Sequence, residues 1–172
     1  MNWIVAALAV IAALDVPQRA HLLRDATAEQ RALAGAGLVV VAIALALLAT
    51  PLLDALDISS PTMEVGAGLV LALWSAVAIA RWDDEPAPEA IAGGIVPLLF
   101  PIVLTPVVGV TIVAVAARNG WWSPVLVTTI GAIPIAVAAA GASLAHRQWR
   151  LLSATTGAVV GVVMIVDGAL AV

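Results

Sequence analysis

The sequence predicts an all-α integral membrane protein with six transmembrane helices in a three-plus-three inverted-topology repeat, its first and fourth helices broken by proline. Three observations lead there. Of the 172 residues, 63% are hydrophobic and only 10% charged, with a mean hydropathy of +1.14; a soluble domain is closer to half apolar and a quarter charged. Apolar runs recur along the chain at lengths near the roughly 20 residues needed to cross a hydrocarbon core. The first and fourth runs carry internal prolines, Pro17 in one and Pro97, Pro101 and Pro106 in the other. A chain of this size has too little interior to hide so much apolar surface from water. Six spans take up roughly 120 residues, which leaves no soluble domain, so residues 1–172 form one polytopic unit.

The first apolar run, Asn2 to Leu14, is short for a span and becomes one by continuing through Asp15-Val16-Pro17 to about Leu23, as an interrupted helix. No Arg precedes the run, which disfavours a cleaved signal peptide. The second span is expected over Ala32–Leu53, with Pro51 near its end, and the third over Glu64–Ala80. The fourth covers Ile91–Ala117 and the fifth Ser123–Ala145, with Pro134 inside it. The sixth covers Leu151–Val172, interrupted at Asp167-Gly168. Trp3, Trp82, Trp121, Trp122 and Trp149 fall near span ends, where indoles settle at the headgroup level. Trp74 falls inside a span and is expected to pack.

Orientation follows from the arginines. Six of the seven (Arg19, Arg24, Arg31, Arg81, Arg147, Arg150) fall in or beside loops one, three and five, and only Arg118 on the opposite side. Those loops are therefore expected in the cytoplasm and both termini outside. An odd number of spans per half inverts the second half. The charged, Pro-rich stretch Asp83–Glu89 divides the chain into halves of about 1–82 and 90–172. Spans one and four then correspond, as do two and five, and three and six. Interrupted segments at matching positions of two halves point to a transporter's binding site. A proline frees a carbonyl and lacks an amide donor. Such backbone is intolerable against lipid but useful around a polar solute.

Ile58-Ser59-Ser60-Pro61, followed by Gly66, Ala67 and Gly68, resembles the start of the third helix in the MarC family, proteins once linked to multiple antibiotic resistance and related to small neutral amino acid transporters. Pro101 and Pro106 keep the proline spacing of that family's fourth helix. Gly161 with Asp167-Gly168 resembles the glycine and final Asn-Gly of its last helix. The likeness covers nearly the whole chain at low identity. The chain departs from the family at Val16, where an Asn stands, at Thr105 and Val107, where glycines flank the proline, and at Val163, where a Gln stands. The resemblance implies six helices in a three-plus-three plan. It also implies multi-pass residence in a prokaryotic inner or plasma membrane and, in some members, movement of alanine and glycine.

Asp15 lies in the first span, where a carboxylate costs about 2.5–3.5 kcal/mol on insertion scales. It carries a proton or faces a substrate ammonium, or it pairs with Arg19 at i+4. Asp167, a turn from the carboxyl end, is either an inward acid beside Gly168 that helps gate the outside or couple protons, or a residue at the outer headgroups. Candidate substrate contacts are Asp15, Pro17, Pro101, Thr105 and Pro106, with the weaker Thr128 and Thr129. Asp54, Asp57 and Glu64 are expected in solvent, Arg118 at lipid phosphate or the end of the fourth helix, and His21 at the interface. Gly66, Gly68, Gly157 and Gly161 are candidate helix-packing positions, the last two in a G-x-x-x-G pair usable within the chain or for self-association.

The classes excluded are as informative. Seven basic residues and a net charge of -4 do not suit a nucleic-acid binder. Two histidines and no cysteine supply no metal site, and no Ser–His pair or Lys supplies an intramembrane enzyme, so no catalytic residue, metal or cofactor is expected. The expected partners are the bilayer and a small solute. The expected function is transport, most specifically of a small neutral amino acid and with proton coupling. The alternatives are a non-transport packing protein, which predicts a dry interior, and a small ion-conducting pore.

Overall fold

The computed structural model describes residues 1–23, 26–81, 104–137 and 147–172, and all the regular structure among them is helical. Helix α1 spans Trp3–Leu14, α2 Val16–Leu22, α3 Ala28–Ala55, α4 Ser60–Ala80, α5 Pro106–Asn119, α6 Trp122–Val137 and α7 Arg147–Leu170. Three of them, α3, α4 and α7, are long and apolar enough to cross a membrane, and α5 and α6 are shorter apolar helices.

Local chemistry explains the ends. Asn2 caps α1, its side chain accepting from the Ile4 amide at 3.0 Å. At the other end of α1, Asp15 adopts φ 40°, ψ 57°, a left-handed conformation that Asp tolerates better than most residues. Val16 and Pro17 then open α2 in a new direction, and the interrupted first helix is present as α1 and α2. Thr27 and Gln30 form a reciprocal capping box on α3, with bonds of 2.8 and 3.2 Å. Pro51 stands inside α3 near its end. Ser59 caps α4 by accepting from the Thr62 amide at 3.3 Å, and Pro61 sits in the first turn, where its missing amide costs nothing. The Ile58–Pro61 motif is thus a helix start, and α4 begins four residues before the expected Glu64. Gly120, at φ 87°, turns the chain from α5 into α6.

Two expectations fail here. Helix α7 runs unbroken through Asp167-Gly168, because Gly168 lies against Pro61 of α4 and continues the packed face. Trp74 is 40% exposed on the outer side of α4 beside Leu73 and Val77; the packed side of that helix is taken by Ala67, Gly68, Leu71 and Ser75.

Helices α1 and α5 are the most enclosed. Ala6, Ala9, Val10, Ala12, Ala13 and Leu14 of α1 are buried, and α5 buries an unbroken run from Thr111 to Ala116. Around them, α4 packs on α7 and α3 on α6, while α5 also touches α3 and α4, and α1 touches α6 and α7. The α4–α7 contact is the closest. A Cβ on Gly68 would come 2.6 Å from the Gly161 carbonyl, and one on Gly161 would come 2.7 Å from that of Gly68. The two backbones touch because neither residue has a side chain. Gly157 meets Ser75 on the same antiparallel seam. Gly66 does not belong to it: a Cβ there would meet nothing within 4 Å. The outer sides of α3, α4 and α7 present Leu47, Leu48, Leu73, Val159 and Val162. Such a surface suits lipid rather than water.

Candidate functional site

The candidate site lies where α1 stops and α5 starts. Pro17 is buried and has no amide, so the carbonyl of Ala13, four residues before it, loses its helical donor. Arg19 takes over that role. It is only 3% exposed; its Nη2 donates to the Ala13 carbonyl at 3.3 Å and its Nε to the Leu14 carbonyl. A guanidinium at the carboxyl end of a helix also complements the helix dipole. The same Nη2 lies 3.4 Å from the hydroxyl of Thr105.

Thr105 caps the amino end of α5 in extended backbone, φ -83° and ψ 155°, and Pro106 opens the helix. Its hydroxyl makes no capping bond and is turned toward Arg19 instead. The first amides of α5 have no acceptor within their own helix, and the dipole places positive potential there. The Pro17 break and the Pro106 helix start, 89 residues apart in sequence, are thus joined through one guanidinium.

Asp15 sits at the same break. Its carboxylate faces Ser153 of α7, with the charges of Arg19 and Arg150 close by, and its Oδ1 is buried without a hydrogen-bond partner. The break therefore offers an anion-accepting side, made by Arg19 and the start of α5, and an acid, Asp15, a few residues away. Neither the Arg19–Thr105 contact nor the proximity of Arg150 and Ser153 was expected from the sequence. The missing signal was available for Arg19 alone: a cation two residues after a mid-span proline has freed carbonyls within reach.

The other candidates distribute as follows. Thr128 is fully buried and its hydroxyl has no partner, as is also true of Thr111 and Ser123. The Thr129 hydroxyl donates to the Val125 carbonyl at 2.8 Å, within its own helix. Pro101 lies outside the described residues, as do Trp82, Asp83–Glu89 and Pro97.

A second polar group forms at the end of the bundle where α1 and α4 begin and α5 and α7 end. Glu64 is 0% exposed, and its Oε2 lies 2.8 Å from Nε of Arg118, which is 23% exposed. This corrects two expectations. Glu64 is not solvated, and Arg118 is turned to a carboxylate, because α4 packs against α5 and brings the two side chains together. Asp167, 44% exposed, holds the Met1 ammonium at 3.1 Å. Asn119 Nδ2 donates to the Met1 carbonyl at 3.3 Å. Among the described residues, no cluster of His, Cys, Asp or Glu could hold a metal ion.

Comparison of the chain with protein-family models, with curated proteins and with solved structures finds no match.

Proposed function

We propose that the chain is a transporter of a small zwitterionic solute, a small neutral amino acid in the first instance, with its binding site at the junction of the two helix breaks. The single observation that carries this is the Arg19–Thr105 contact, which brings the break after α1 against the proline-led start of α5, from opposite halves of the sequence. In this reading, Arg19 and the amino end of α5 receive the solute carboxylate. Asp15 exchanges the coupling proton.

The pattern of helix contacts supports a six-span, inverted three-plus-three plan. Let α1–α2, α3 and α4 be the first half, and let the span ending in α5, then α6 and α7, be the second. Exchanging the halves turns the α3–α5 contact into α6–α1 and the α4–α5 contact into α7–α1, and all four are present. The pairs α4–α7 and α3–α6 map onto themselves, as contacts across a two-fold axis do. The same plan fits the MarC resemblance. Against the packing-protein alternative stands the α4–α7 glycine seam, which is already filled within the chain.

The arginine bias puts both termini outside a prokaryotic cell membrane. Removing Arg19 and Arg31 from the loop count, because both are buried, leaves four against one. Reporter fusions after Val172 should be active only as extracytoplasmic reporters; activity of a cytoplasmic reporter there would overturn the orientation.

Coupling is tested at Asp15. Asn tolerates the positive φ of this position at least as well as Asp, so Asp15→Asn removes the charge and keeps the backbone. In proteoliposomes, uptake of alanine or glycine driven by a pH gradient should fall by about a hundredfold or more, the usual scale for loss of a positioned proton-transfer group. Exchange without a gradient should survive. Unchanged proton-driven uptake would remove Asp15 from the mechanism.

A further inference from the structure

We infer that the polar group at the Met1 end is an ion-pair latch that holds the two halves of the molecule shut on that side. Its functional meaning rests on the transport reading, but its physical content does not. Every polar contact in the group joins a helix before residue 82 to one after residue 103. Glu64 of α4 meets Arg118 of α5, the Met1 ammonium before α1 meets Asp167 of α7, and Asn119 at the end of α5 meets the Met1 carbonyl. Contacts that only stabilised individual helices would stay within one half. Two carboxylates and two cations make the group neutral, which argues against a free cation site. Glu64 is fully buried while Arg118 keeps an edge toward solvent. The pair therefore has an outward side by which the arginine can withdraw and an inward side where the carboxylate is stranded if it does.

Behind the latch, α1 and α5 run antiparallel toward the Arg19–Thr105 junction. Halfway along, α5 carries Thr111, buried and with its hydroxyl unpartnered. Opening at the latch would bring water to this hydroxyl first and to the junction next. A closed end held by few, specific polar contacts is what a two-state closure requires.

The chain contains no cysteine, so single thiols can be introduced without a background. Thr111→Cys would report on the latched end and Ser75→Cys, buried where α4 meets Gly157, on the opposite part of the bundle. Both should be labelled with a hydrophilic maleimide in lipid nanodiscs, where either face is open to reagent. Glu64→Gln should raise the labelling rate of Thr111→Cys by about tenfold, the change a modest bias of a two-state equilibrium gives, and leave Ser75→Cys as it was. Glu64→Asp, which keeps the charge but shortens the reach, should give a smaller rise at Thr111→Cys and serves where Glu64→Gln does not fold. An unchanged rate at Thr111→Cys in a folded variant would overturn the latch. So would an equal rise at Ser75→Cys, because the loosening would then be general. The measurement uses no solute, so a failure of the transport reading leaves it intact, and its own failure leaves that reading standing.

Discussion

At the scale of single residues, the two partners of the Glu64–Arg118 pair are not equivalent. Removing Arg118 strands a carboxylate that has no access to water, whereas removing Glu64 leaves a guanidinium that can turn to solvent along its flexible stem. Arg118→Gln should therefore cost about 3–5 kcal/mol, the scale for an uncompensated buried charge, and Glu64→Gln about 1 kcal/mol, the scale for losing an ion pair whose cation reaches water. Thermal unfolding of the purified protein in detergent measures the difference; equal losses would mean that Glu64 is not buried. The pair also shows what a sequence conceals. Glu64 lies just past the first turn of a helix after a Ser–x–Pro start, near one end of the span, where an acidic residue is ordinarily solvated. Its burial depends on which helix packs there, and that helix lies more than 40 residues later. Asp15 was legible for the opposite reason, because the cost of a carboxylate within an apolar run is a local property.

At the scale of elements, proline and capping chemistry carried most of the information. The stop at Asp15, the starts at Ser59 and Thr105, and the split of the first helix all follow from residues within a turn of the boundary. Which face of a helix packs was less legible. Gly66 and Gly68 are two residues apart and so lie on different sides of α4; only contact with α7 decides between them. The difference is measurable. Gly161→Ala places a Cβ 2.7 Å from the Gly68 carbonyl and 2.8 Å from the Ala72 amide nitrogen, both backbone atoms that cannot swing aside. It should destabilise by about 1–3 kcal/mol, the usual cost of overpacking. Gly66→Ala meets open space and should be neutral or stabilise by up to about 1 kcal/mol through helix propensity. Equal effects in thermal melts would mean that the α4–α7 seam is not the tight contact described. The expected interruption at Asp167-Gly168 fails on the same physics: a glycine facing a neighbouring backbone allows close packing without ending the helix.

At the scale of the whole molecule, two observations meet: the α3–α5 and α4–α5 contacts have counterparts in α1–α6 and α1–α7, and Arg19, past the end of α1, lies against Thr105 at the start of α5. The first was suggested by the odd number of spans in each half. The second was not visible, because a side chain counted as a loop cation proved to be the buried link between the end of α1 and the start of α5. The most direct measurement is exchange of radiolabelled alanine, glycine and serine in proteoliposomes, with empty liposomes and Thr105→Val as comparisons. Thr105 makes no capping bond, so the valine removes only the hydroxyl at the junction. The account predicts counterflow of at least one of the three above empty liposomes and about tenfold less in Thr105→Val, the scale for a lost hydrogen bond to a charged solute. No counterflow of any of them, from protein shown to be folded, would contradict it.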